Sequence, residues 1–130
     1  MRILVVDDDT EVRSAVRMML ERARFKVVEA GTGVEAARAL RLHGADLILC
    51  DLFMPDKDGL EVICELRRES PSIKVIAMSG GGAKGIIDLL PMALRLGASG
   101  ILYKPFDQAV AVAAINRFLF PGAKGELPLG

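Results

Sequence analysis

Ala45-Asp46-Leu47-Ile48-Leu49-Cys50-Asp51-Leu52-Phe53-Met54-Pro55-Asp56-Lys57-Asp58-Gly59 is the stretch whose reading decides the fold. Leu47 to Cys50 is an unbroken apolar run of strand length, with no alternation to supply a solvent face, so it suits a strand buried on both sides of a parallel sheet. Asp51 ends the run. Pro55, Asp58 and Gly59 are turn residues, so a lone carboxylate stands where a buried strand stops, which is where open α/β sheets bind ligands. Taken alone, Asp51 is read equally well as a cap for the loop that follows.

Similar runs lie on either side. Ile3 to Val6 is a strand-length apolar run that stops at Asp7-Asp8-Asp9, and either Asp9 or Thr10 can cap the next helix by accepting an orphaned backbone N–H. In that helix Val12, Ala15, Val16, Met19 and Leu20 share one stripe, with Glu11, Arg13, Arg17 and Glu21 outside it. Lys26 to Ala30 reads as a second strand and Val34 to His43 as a second helix, closed by Gly44. His43 at that end suits the helix dipole better than chemistry. Leu60 to Glu69 is a third helix with Val62, Ile63 and Leu66 inward, stopped by Pro71. Ile73 to Met78 is a fourth strand, ending at Ser79.

Beyond Ser79 the pattern loosens. Gly80-Gly81-Gly82-Ala83-Lys84-Gly85 is too permissive for helix, and Pro91 falls inside an apolar stretch from Ile86 to Leu96, so the helix there either kinks or begins nearby. Ile101 to Tyr103 is a fifth strand, followed by Lys104-Pro105, and Asp107 can cap a last helix reaching Leu119. Residues 121–130, rich in Gly and Pro without periodicity, read as a disordered tail or linker stub after a domain over residues 1–120.

Strand and helix thus alternate five times, which implies an α/β fold with a mostly parallel sheet and helices on both faces. The 130 residues suffice for one domain with a real core. Seventeen basic and seventeen acidic residues cancel, so bulk charge argues for neither nucleic acid nor an anionic membrane as partner. Apolar runs are too short for a membrane span, and no signal peptide is recognisable, which leads us to expect a cytoplasmic protein. Cys50 and Cys64 are expected as two buried free thiols.

The consequence for function lies at the strand ends. Asp7, Asp8, Asp51, Ser79 and Lys104 all follow the carboxyl ends of expected strands, which share one edge in a parallel sheet. Clustered carboxylates need compensation, and an oxygen-only ligand set without His or Cys favours Mg²⁺ with room left for phosphate oxygens. The Lys104 ammonium and the Ser79 hydroxyl suit phosphoryl oxygens, and a carboxylate such as Asp51 can act as nucleophile, forming an aspartyl-phosphate. The set is suited to phosphoryl transfer, where positioning and charge neutralisation do most of the work.

These residues resemble the response-regulator receiver domain of two-component signalling. The resemblance runs from Ile3 to about Leu119 and is carried by Val5-Val6-Asp7-Asp8, Asp51-Leu52-Phe53-Met54-Pro55 with Asp58-Gly59, Met78-Ser79 and Lys104-Pro105-Phe106. It implies a flavodoxin-like three-layer α/β/α sandwich, a five-stranded parallel sheet in the order 2-1-3-4-5. It further implies that Asp51 accepts a phosphoryl group from a histidine kinase, a phosphotransfer protein or a small phosphodonor. Mg²⁺ would be bound by Asp8, Asp51 and the Phe53 carbonyl, with Asp7 acting through water. Ser79 and Lys104 would contact the phosphoryl group, and Lys104-Pro105 would be a cis peptide. The expected partners are that kinase and a downstream protein or output domain, with room for a phosphorylation-dependent dimer. No direct contact with nucleic acid or membrane is expected, and the chain is either a stand-alone receiver or a piece of a longer regulator.

Two features depart from the family pattern. The switch position three residues before the lysine, commonly aromatic, is Ile101, and the only Tyr is at 103. The Ser79 to Lys104 segment is a few residues longer than is usual in that family, and the glycines of its Gly80 to Gly82 run predict a mobile loop. The bulk of Phe53 beside Asp51 predicts slow attack by water and a long-lived phosphoryl group. Two other functions compete. Leu4-Val5-Val6-Asp7-Asp8-Asp9-Thr10 is similar to the opening motif of haloacid-dehalogenase-type phosphatases, with Asp7 as nucleophile, although no later acidic pair follows the lysine. The other is a receiver-shaped interaction module that is never phosphorylated.

Overall fold

The computed structural model describes residues 1–52, 59–80 and 90–121. Along the chain these form β1 (Arg2–Val6), α1 (Thr10–Arg22), β2 (Lys26–Ala30), α2 (Gly33–His43) and β3 (Leu47–Asp51). There follow α3 (Gly59–Glu69), β4 (Lys74–Ser79), α4 (Leu90–Leu96), β5 (Gly100–Tyr103) and α5 (Gln108–Leu119). All strand pairings are parallel, and the sheet order is β2-β1-β3-β4-β5. Among the described residues no helix is long and apolar enough to cross a membrane.

The unbroken apolar runs have two faces to fill. Leu4, Val6, Ile48, Cys50, Val75 and Ala77 point to one side, where they pack with Ala36 of α2, Val62, Ile63 and Leu66 of α3 and Ala93 of α4. Ile3, Val5, Leu47, Leu49, Ile76 and Met78 point to the other, against Val16 and Leu20 of α1 and Ala111 and Ile115 of α5. Period-two alternation therefore exists in the structure while remaining invisible in the sequence, because both faces are apolar.

Helix starts follow the expected capping chemistry. The Asp9 carboxylate accepts the backbone N–H groups of Glu11 and Val12, which settles the choice between Asp9 and Thr10. Thr32 and Asp107 cap α2 and α5 in the same way. α4 is described from Leu90, with Pro91 as the second of its described residues. Residues 81–89, which hold most of the glycine-rich loop, and residues 122–130 of the expected tail lie outside the described residues.

Three local expectations are corrected. Ala15 is exposed, and the buried stripe of α1 narrows to Val16 and Leu20 flanked by Val12 and Met19, because a methyl group gains little by turning inward. Cys50 is buried, but Cys64 is only half-buried and its Sγ accepts a contact from Arg68 at 3.5 Å. β4 starts at Lys74, one residue late, since the Ile73 amide bonds the Ser70 carbonyl at 3.1 Å in the turn after α3.

Candidate functional site

Every strand end invoked above lies along the same edge of the sheet. Asp51 is the last residue of β3, in register with Met78 of β4, so Ser79 stands one residue further along the neighbouring strand. Ser79 in turn is in register with Tyr103, and the Lys104 amide donates to the Ser79 carbonyl at 2.7 Å, which holds the base of the lysine against β4. At the end of β1 the Asp7 amide donates to the Ala30 carbonyl at 3.1 Å, prolonging the ladder to β2 by one bond.

The side chains converge accordingly. Carboxylate oxygens of Asp7, Asp8 and Asp51 lie within 4.8 Å of one another. The Lys104 Nζ donates to Asp7 Oδ2 at 2.8 Å and to Asp51 Oδ1 at 3.2 Å, joining residues separated by 97 and 53 positions. Asp7 and Asp51 are buried, whereas Asp8 is exposed at the mouth. Asp7 Oδ1 also accepts the Asp9 amide at 3.0 Å. Ser79 is buried at the edge of this group.

Electrostatics explain how a half-buried ammonium is tolerated. Burial by itself works against the charged amine, but the hydrogen bond to Asp7 and the charges of Asp51 and Asp7 outweigh it, and the Lys104 pKa is raised above its ordinary value. Burial, followed by the neighbouring charges of Asp51 and Asp7, pushes the Cys50 thiol upward as well, so this cysteine is an inert apolar filler beneath the site.

The three acids fit a hard divalent cation. Their donors are all oxygens, they come from two strand ends, and one stands open to solvent, a set that suits an ion retaining part of its water. Phe53, whose carbonyl was expected as a further ligand, lies outside the described residues, as does its proposed effect on hydrolysis. Lys104-Pro105 is cis, as the resemblance implied. Ile101 is half-buried against the α2/α3/α4 side of the core, while Tyr103 is exposed, so the switch position carries an aliphatic side chain packed into the molecule.

One group escaped the sequence reading. Arg13, placed outside the apolar stripe of α1, turns toward β1 and β2: its Nη1 donates to the Asp7 carbonyl at 2.7 Å and its Nε to Glu29 Oε1 at 2.8 Å. Glu29 also accepts from Arg17 at 2.7 Å. The available signal was Glu29 itself, an acid following Val27 and Val28 in β2, facing a helix with arginines four residues apart.

A profile of the response regulator receiver domain matches residues 3–116. The chain belongs to that family. Its receiver fold and function in two-component signalling stand on that match, and the phosphatase reading is set aside by it. Chemotaxis protein CheY of Listeria monocytogenes is 31% identical over 119 residues, covering 90% of this chain and 97% of that protein. Transcriptional regulatory protein CpxR of Klebsiella pneumoniae is 37% identical over 118 residues, which cover 91% of this chain but 49% of CpxR. Among solved structures, the receiver domain of NtrX from Brucella abortus superposes with a TM-score of 0.82 at 27% identity, covering 90% of this chain and 97% of that one. A CheY-like receiver domain protein from Methanospirillum hungatei gives 0.81 at 26% identity, covering 95% of this chain and 97% of that one.

Proposed function

We propose that this receiver domain is switched by phosphorylation of Asp51, taken from the phosphohistidine of a sensor kinase or phosphotransfer protein, or from a small acyl phosphate. The observation that carries the reading is the Lys104 ammonium set between Asp7 and Asp51, with Asp8 completing the acidic group. An Asp51 carboxylate oxygen attacks phosphorus, a new O–P bond forms, and the donor's bond to phosphorus breaks with its electron pair leaving on the donor. Lys104 then serves one phosphoryl oxygen and the Ser79 hydroxyl donates to another. Asp8, Asp51 and the Phe53 carbonyl would hold Mg²⁺, with Asp7 acting through water. When bound, the cation neutralises charge on the phosphoryl oxygens. Attack by water on the acyl phosphate later releases inorganic phosphate and restores the carboxylate, so the domain catalyses its own reset.

Residues 1–120 form the receiver and 121–130 a tail or linker stub. We place the domain in the cytoplasm, where its phosphorylated form binds a downstream protein or output domain. Incubation with acetyl phosphate and Mg²⁺ followed by peptide mass spectrometry tests the reading. A gain of about 80 Da, one phosphoryl group, is expected on the peptide holding Asp51 and is absent from Asp51→Asn. Label on Asp7 that persists in Asp51→Asn refutes it.

A further inference from the structure

The acids of the pocket are held unequally. The Asp7 side chain is fixed at both oxygens, by the Asp9 amide at 3.0 Å and by Lys104 at 2.8 Å. Among the described residues no hydrogen bond or ion pair reaches the exposed Asp8 carboxylate, so its aim depends on the backbone that carries it. That backbone is the planar peptide joining Asp7 to Asp8, in which the direction of the Asp7 carbonyl dictates where the Asp8 nitrogen and Cα leave. The carbonyl accepts one side-chain bond, from Arg13 Nη1 at 2.7 Å.

Arg13 is itself held. Its Nε is paired with Glu29 Oε1 at 2.8 Å, and the second Glu29 oxygen is bonded by Arg17. A Cβ at Gly31 would lie 3.1 Å from Nη1, so the lack of a side chain there leaves the guanidinium its path over the end of β2. The planar fork is thus used on two fixed partners at once, which a lysine ammonium on a flexible stem reproduces poorly.

We propose that Arg13 is a positioning residue for the pocket: clamped by Glu29, it fixes the Asp7–Asp8 peptide and so aims the Asp8 carboxylate at the divalent cation it shares with Asp51. The inference rests on the pocket being a magnesium site. Sign separates it from a plain electrostatic or scaffolding role. Removing a cation beside three carboxylates would, by charge alone, tighten Mg²⁺ binding. Loss of positioning weakens it, and groups that orient metal ligands are typically worth about 10-fold or more in affinity.

The experiment is a Mg²⁺ titration of the ¹⁵N-labelled chain, following the amides of Asp7, Asp8 and Asp9. Arg13→Met is expected to raise the Mg²⁺ Kd about 10-fold. Arg13→Lys, which keeps the charge but loses the fork, is expected to weaken binding as well, and it carries the test if Arg13→Met does not fold. Arg17→Gln, which loses the bonds to Glu21 and Glu29 but none to Asp7, leaves the Kd unchanged. Unchanged or tighter binding in the Arg13 variants, or equal weakening in Arg17→Gln, overturns the proposal while the pocket reading stands. A parent chain that does not bind Mg²⁺ removes the pocket reading and the proposal with it.

Discussion

Lys104→Met puts the charge balance of the pocket to a direct test. The ammonium lies 2.8 Å from Asp7 and 3.2 Å from Asp51, and the two acids keep only 1% and 6% side-chain exposure. At an effective dielectric constant near 20 the shorter pair attracts by roughly 6 kcal/mol, most of which is offset by taking the charges out of water. Removing one partner of a buried pair costs ~3–5 kcal/mol, and the 20% exposure left to the lysine side chain places this case at the low end, about 3 kcal/mol. For a domain of this size that is roughly a 10 °C fall in Tm. Thermal melts followed by circular dichroism in EDTA should show it, because methionine fills the space of the stem without its charge. The same melts in Mg²⁺ supply the second half of the argument. With the competing ammonium gone the variant binds the cation more tightly than the parent, and each tenfold in Kd narrows the gap by about 1.4 kcal/mol. A variant as stable as the parent in EDTA, or a gap that widens in Mg²⁺, would show that Lys104 does not balance these acids.

Two further outcomes follow from other parts of the molecule. Gly97 has φ +120°, and a Cβ there would come within 2.8 Å of Arg67 Cγ, while the Arg67 guanidinium is itself occupied with the Ile73 carbonyl. Gly97→Ala should therefore cost about 2 kcal/mol in urea melts, combining backbone strain with a clash that the held arginine relieves slowly; a neutral result would mean that the α4–β5 turn repacks freely. The Glu29 pKa is lowered by hydrogen bonds from Arg17 and then Arg13, although burial opposes the shift. A depressed carboxylate stabilises the fold above its unfolded value and loses that contribution as pH falls through the folded one. Between about pH 5 and 3 the parent should thus lose up to about 1 kcal/mol that Glu29→Gln does not, a modest figure because the pairs are partly solvated. Parallel acid titrations of the two would contradict this.

The strand–helix alternation was legible because short apolar runs between turn residues admit few other readings, and the strand-end residues were legible because parallel strands share one carboxyl edge. What stayed hidden depended on how elements cross. Periodicity places Arg13 off the apolar stripe of α1, but whether it then meets water or the Asp7 carbonyl is decided by how α1 lies over β2. Asp7 and Asp8 are chemically identical neighbours in the sequence, yet successive side chains at a strand end point oppositely, so Asp7 is buried against Lys104 and Asp8 faces solvent. Ala15 and Cys64 were misjudged for a shared reason, since small side chains gain too little from burial for the pattern to dictate their environment.

The proposed chemistry also follows from counting charge in the pocket. Three carboxylates face one ammonium, which leaves two negative charges for a single dication to complete. The proposed phosphorylation would turn the Asp51 carboxylate into an uncharged acyl group and introduce phosphoryl oxygens carrying nearly two negative charges. Lys104 would then be drawn from Asp7 and Asp51 toward the new oxygens, while its backbone stays tied to Ser79 through the 2.7 Å amide bond. Asp7 would keep the Asp9 amide and the Arg13-held carbonyl but lose its cation. The change would therefore be felt first at two places, the β1–α1 turn and the end of β5, where Tyr103 lies exposed immediately before the lysine. A partner reading the phosphorylated state through β5 would meet that ring, with no inward-turning aromatic required at Ile101.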